Sequence, residues 1–356
     1  MDKPTLRVLD TDFGNSRKHF SFGKAMVDHH KQSKQPDTLR FMHFKPTVIL
    51  GRHQVLHDEV NVDYCLNNNI QIVRRLTGGG AVFLDPGQLA WELCVSKKNI
   101  GSGDLSEITK ILCGAAAGGL NKLNIDAKFR PRNDLEVDGR KVGGTGGFFD
   151  GDTLFFQGGA LVDMDVENMK ASLNIPVPKL SKRNLESAGD RVITVRELLG
   201  PDTPALPLFK EALVESVCET LGLKADYQEC SASELVLGDQ YYDEEIGQDE
   251  FVHEIDRLIA GDVVKRATIK TPGGFITTSF KLKGPKLDII AEIFFHGDLF
   301  VSPPRVLFDL EAHLKGVFLP DIEAAIDEFF KETKINMMSI QPEHFVSAIK
   351  DALKGE

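Results

Sequence analysis

Arg74-Arg75-Leu76-Thr77-Gly78-Gly79-Gly80-Ala81-Val82-Phe83 is the stretch on which the reading of this chain turns. Three consecutive glycines lie between two β-like runs, 71–75 and 81–85. Such a bend tolerates positive φ and lets a ligand reach main-chain N–H groups with no Cβ in the way. The two arginines at its entrance suit an anion. A bare triglycine serves equally as a plain turn with two surface arginines, so the rest of the chain has to decide.

Outward from the bend, 46–50 and 89–96 are further β segments punctuated by Gly and Pro, which implies a sheet with short loops. From Asp104 onward Leu105, Ile108, Ile111, Leu112, Ala115, Ala116, Leu120 and Leu123 recur with helical period, and Asp104 with Glu107 has capping-box spacing. That helix is expected to pack on the sheet. Asp138-Gly139 between 135–137 and 141–142 predicts a hairpin, because its central residues accept positive φ. A returning strand is expected over 154–162 and a helix over 207–223. Downstream, 262–270, 275–283 and 287–295 read as strands, and 304–315, 321–331 and 342–353 as helices. The fold class is thus α+β, a mixed or antiparallel sheet domain followed by a small α+β domain.

The sequence of 356 residues holds 42 Lys and Arg against 53 Asp and Glu, a net charge of −11. Nine of those acids fall in 226–250, which has no Lys or Arg, so the balance argues only weakly about partners and that stretch is expected as a linker. The expected organisation is 1–225, an acidic linker 226–250, and 251–356. Nucleic acid is not an expected partner, and no apolar run of about 18 residues points to a membrane. The first residues carry Asp2, Lys3, Arg7, Asp10 and Asp12 and no signal-like apolar stretch, so a cytoplasmic location is expected. Cys65, Cys94, Cys113, Cys218 and Cys230 form no Cys-x-x-Cys pair and are expected as buried thiols. His53 and His57 have the spacing of a helical metal pair without a third ligand, and His29-His30 is expected at a solvated surface.

A second constellation is Arg132-Asn133-Asp134 with Asp138-Gly139-Arg140-Lys141-Val142-Gly143-Gly144-Thr145-Gly146-Gly147. A lysine before a glycine-rich turn, opposite an Asn-Asp pair, has the parts to hold a nucleotide phosphate: ammonium for charge, amide for hydrogen bonds, carboxylate for magnesium. It is neither a Walker A loop nor a dinucleotide fingerprint. A solvated lysine at a strand edge is the plain alternative.

Together, Gly51-Arg52-His53-Gln54, the run 74–80, Asp85 with Gly87, Arg132-Asn133-Asp134 and Asp138-Gly139-Arg140-Lys141 with Gly144 resemble the lipoate–protein ligase family of the biotin and lipoate ligase and octanoyltransferase superfamily. The resemblance covers about residues 5–225, and the later region is similar to the small accessory domain of bacterial ligases. It implies ATP-dependent attachment of lipoate or octanoate to a lysine of a lipoyl-domain or glycine-cleavage-H-like acceptor, through a lipoyl-AMP intermediate. By the same resemblance Lys141 is the catalytic lysine. Arg75, Thr77, Gly78, Gly79, Gly80, Asn133, Gly144, Gly158 and Lys182 bind the acyl-adenylate, Asp134 contacts Mg2+, and ATP is the co-substrate.

Three departures stand beside it. Phe156-Gln157-Gly158-Gly159 replaces the family's frequent His-His-Gly-Thr, Gly143 to Gly146 replaces Ser-Gly-Ser-Ala, and Leu84-Asp85 replaces His-Asp. Two alternatives remain open: an octanoyl or lipoyl transferase of the same fold, for which no cysteine lies between Ala127 and Arg196, and a non-catalytic lipoate-binding module.

Overall fold

The computed structural model describes residues 3–101, 103–174, 192–256, 264–333 and 335–354. The chain enters as β1 (Thr5–Thr11), the helix α1 (Ser16–Lys31), β2 (Thr38–Met42) and β3 (Thr47–Leu50). It continues as β4 (Gln71–Arg74), β5 (Val82–Leu84) and β6 (Leu89–Ser96). The helix α2 (Leu105–Asn121) follows, then β7 (Lys128–Arg130), β8 (Asp134–Val137), β9 (Arg140–Asp150) and β10 (Thr153–Ala160). The first unit closes with α3 (Leu206–Leu221), β11 (Lys224–Tyr227) and α4 (Ala232–Tyr241).

Among the described residues these strands make an eight-stranded sheet, ordered β11-β1-β2-β6-β10-β9-β8-β7, and a three-stranded sheet, β4-β3-β5. β1 runs parallel to β2 and β11 while the other pairs of the large sheet are antiparallel, the mixed sheet expected. The small sheet matters because the triglycine bend is the connection between its outer strands.

Local signals explain the elements that flank the site. Asp104 Oδ1 accepts from the Ser106 and Glu107 amides at 2.8 and 2.9 Å, and the Glu107 carboxylate returns to the Asp104 amide, so α2 starts on the capping box anticipated. Its apolar stripe packs with α3 on one face of the large sheet, around Trp91, Phe156 and Phe209. The β8–β9 hairpin turns on Asp138 and Gly139 with φ of 49° and 77°, both left-handed as the dipeptide demands.

Residues 226–250 differ from the expected linker. β11 continues the large sheet beside β1, and α4 packs across α1. The physical reason is charge pairing: Arg7 on β1 holds Glu234 of α4 in a bidentate contact of 2.9 and 2.5 Å, both side chains buried. Lys18, Lys24 and Arg17 of α1 pair with Asp239, Glu245 and Asp249. His29 and His30 also differ from expectation, since both are buried, and His30 bridges Thr153 Oγ1 at 2.7 Å and Asp37 Oδ1 at 2.9 Å.

The second unit has its own core around Phe280, Phe295 and Phe345. It comprises the antiparallel β12 (Lys265–Thr271), β13 (Gly274–Lys283) and β14 (Ile289–Gly297), the short pair β15 (Val301–Ser302) and β16 (Asn336–Met337), and three helices. The helices are α5 (Val306–Leu314), α6 (Ile322–Glu332) and α7 (Pro342–Lys354), each within two residues of the sequence reading. No helix among the described residues is long and apolar enough to cross a membrane.

Candidate active site

Side chains alternate across a strand, so opposite partners in an antiparallel sheet share a face. Two rows of that kind cross the large sheet on the side away from α2. One runs Met42, Ala90, Gly159, Gly144, Asp134, and the next Arg40, Glu92, Gln157, Gly146. Gly144, Gly146 and Gly159 leave this part of the face without side chains, a trough with charged groups at one end.

At that end Lys141 Nζ lies 2.8 Å from Asp134 Oδ1, and Arg130 donates to Asp134 Oδ2 at 2.7 Å. Burial works against ionisation of Asp134, but Lys141 and Arg130 outweigh it and hold the carboxyl at about 2. Gly144 is what makes room: a Cβ there would fall 2.7 Å from Lys141 Nζ. Asn133 is fixed against β9, its side-chain amide donating to Thr145 O and its carbonyl accepting from the Thr145 amide at 2.8 Å.

The triglycine bend lies over the other end of the trough. Thr77 Oγ1 donates to Gln157 Oε1 at 3.0 Å, and Gln157 in turn donates to Glu92 at 3.1 Å. Glu92 and Arg40 form a fully buried ion pair of 2.6 Å; burial pushes the Glu92 carboxyl up and Arg40 opposes it. Gly78 O sits 3.8 Å from where a Cβ of Gly146 would be. Gly144 and Gly146 are two residues apart on one strand, about 7 Å. The Lys141 ammonium and the bend therefore stand over one short stretch of sheet.

The arginines do not wait for an anion as the sequence suggested. Arg74 is buried and donates to the carbonyls of Gly51 (2.9 Å), Gln54 (2.6 Å) and Val252, tying β4 to the chain beyond α4. Arg75 Nη2 donates to Gly78 O at 2.6 Å and Gly80 O at 2.8 Å, so its charge shapes the bend. Gly158 faces the opposite side of the sheet from the trough, where a Cβ would strike the Trp91 ring at 2.3 Å. Its role there is packing. Lys182, with Lys179 and Arg183 of the expected adenylate loop, lies outside the described residues.

Magnesium requires several oxygen ligands in near-octahedral array. Asp134 offers one carboxylate whose two oxygens already serve two cations, and no second acid joins it in a metal-binding group among the described residues. These residues do not fit a magnesium site. His53 does not pair with His57 either: it is buried, and burial, with Arg52 and Arg74 adding to it, drives its imidazole down to about 3. His57 instead approaches His253 and Asp256, with ligand atoms within 4.8 Å of one another.

The sequence did not single out the Arg40–Glu92–Gln157 row. Its signal is there, a lone Glu in the apolar run Leu89-Ala90-Trp91-Glu92-Leu93-Cys94-Val95, where an unpaired charge would be untenable.

Residues 15–218 match the model of the Lipoyl protein ligase A/B catalytic domain. The chain belongs to this family. As a member of the lipoyl ligase family it is 30% identical over 191 residues to a probable lipoate-protein ligase A of Mycoplasma pneumoniae, covering 53% of this chain and 55% of that one. It thus spans about half the length of that relative. A chain of Thermoplasma acidophilum, described as a bi-partite lipoate protein ligase and its E2 lipoyl domain, superposes with a TM-score of 0.62 at 25% identity, over 74% of this chain and all of that one. The fold of both units recurs in P. falciparum LipL1, with a TM-score of 0.73 at 14% identity, over 99% of this chain and all of that one.

Proposed function

We propose that this chain joins lipoate, or octanoate, to a lysine of an acceptor protein at the expense of ATP. A carboxylate is a poor acyl donor at neutral pH. Its oxygen therefore attacks the α-phosphorus of ATP, pyrophosphate leaves, and the acyl carbon becomes part of a mixed anhydride. An uncharged lysine amine of the acceptor then attacks that carbon, AMP departs with the bonding pair, and the amine sheds a proton. The chain's share is to orient two anions and to stabilise charge where it moves.

The observation that carries this reading is the Lys141 ammonium at the Gly144 end of a glycine trough whose Gly146 end lies beneath the triglycine bend. Lys141 bridges the acyl oxygen and the α-phosphate, exchanging Asp134 for these anions. Main-chain N–H groups of the bend and Thr77 face the acyl-adenylate, and Asn133 lies on the nucleotide side. Magnesium accompanies the phosphates of ATP and takes no ligand from Asp134 in the pairing described. The acceptor is a lipoyl domain or a glycine-cleavage-H-like protein, in keeping with the E2 lipoyl domain studied with the Thermoplasma acidophilum relative. A cytoplasmic site of action agrees with five free thiols. A transferase route through a thioester finds little support: Cys94 and Cys113 are buried, and burial pushes the Cys113 thiol up to about 12 despite its hydrogen bond with Thr145.

Pyrophosphate release on adding ATP, magnesium and lipoate, with intact mass of a lipoyl-domain acceptor, tests the reading. Lys141→Ala is expected to lower release by about 100-fold or more, the size of one lost charge-stabilising donor, with an unchanged circular dichroism spectrum. Normal release by that variant overturns the assignment.

A further inference from the structure

The trough beneath the bend is filled, and it is filled from the second unit. At the end of β14 the chain passes through Gly297-Asp298-Leu299-Phe300, and these four residues press onto the first unit. The Gly79 amide donates to Leu299 O at 3.1 Å and the Gly297 amide donates to His53 O at 2.9 Å. Gln54 Nε2 donates to Asp298 Oδ1 at 3.0 Å. The Phe300 ring goes further. Its Cζ lies 2.5 Å from where a Cβ of Gly79 would be, and its Cε1 lies 2.8 Å from the Cβ position of Gly146. Only two glycines facing each other leave room for it. Phe300 is 5% exposed and belongs to the core of the first unit, not of its own.

We infer that Phe300 holds the place of the acyl chain: docking of 297–300 on the bend and binding of the fatty acid are mutually exclusive, so the acid must displace this ring to enter. The inference rests on the proposed function and identifies an internal competitor for its acyl site. Two facts carry it. The ring is wedged between the bend and the strand that bears Gly144, about 7 Å from the point served by Lys141. An apolar, flat side chain also matches what a medium-length acyl chain would bury there. The docked form then taxes affinity by the fraction of molecules in which the trough is open.

The test uses the full chain and octanoate or lipoate without ATP. Calorimetry is expected to show Phe300→Ala binding either acid about tenfold tighter or more, because the competing burial of a large aromatic is gone. Hydrogen–deuterium exchange of the wild type needs no variant: peptides carrying Gly79 and Gly297 should lose protection when the acid saturates. Acid binding with that protection intact overturns the inference and leaves the proposed function standing. No acid binding by either protein overturns both.

Discussion

Gly144 separates stability from activity more cleanly than any other residue of the site. The atom a new Cβ would meet is the far end of a lysine side chain, which can swing aside at little cost to the fold. It cannot do so and keep its place 2.8 Å from Asp134. Gly144→Ala is therefore expected to shift the denaturant midpoint only slightly while lowering pyrophosphate release by about tenfold or more, since misplacing a catalytic charge by an ångström has effects of that order. Equal loss of stability and activity would show that the glycine serves packing alone. The same residue scale explains which residues of the candidate site were legible in advance. Lys141, Gly144 and Thr77 stand beside glycine runs, where side chains are missing for a reason. Arg74 carries the same charge as Arg75 and the same neighbours in sequence, yet its donors are spent on buried carbonyls supplied as far away as Val252. No local pattern announces that.

At the scale of elements, the parts readable in sequence were those with self-contained signals: the capped helix α2, the Asp-Gly hairpin of β8 and β9, and the three helices of the second unit. The α1–α4 pair was not readable, because α4 has an acidic sequence whose partners are on distant elements. Arg7 and Glu234 are 227 positions apart, and both are buried. Burial raises the Glu234 carboxyl, and Arg7 and Ser231 together bring it below its ordinary value. Removing one member of such a pair leaves the other charged and buried, at a cost of about 3–5 kcal/mol. Glu234→Ala should lower the urea midpoint of the full chain accordingly. A change below about 1 kcal/mol, within the range of a surface pair, would mean that 226–250 is an appendage to the first unit.

For the whole molecule the question is what holds two separate cores together, and the seam offers two kinds of contact. Arg266 and Asp58 reach across it at 2.8 Å, but their side chains are 54% and 41% exposed, a pair of small net worth. A second set is buried: Phe300 in the trough, Leu299 O on the Gly79 amide, and Ser302 Oγ donating to Phe149 O at 2.8 Å on β9. These two kinds respond oppositely to salt. Raising ionic strength from about 0.1 M to 1 M shortens the screening length from about 10 Å to about 3 Å and weakens exposed ion pairs. Apolar burial and sheltered main-chain hydrogen bonds are not weakened by it. The radius of gyration from small-angle scattering is thus expected to stay constant across that range, and to grow only when octanoate is added and Phe300 leaves the bend. Expansion with sodium chloride alone would place the hold between the units in their surface charges and make the aromatic contact incidental.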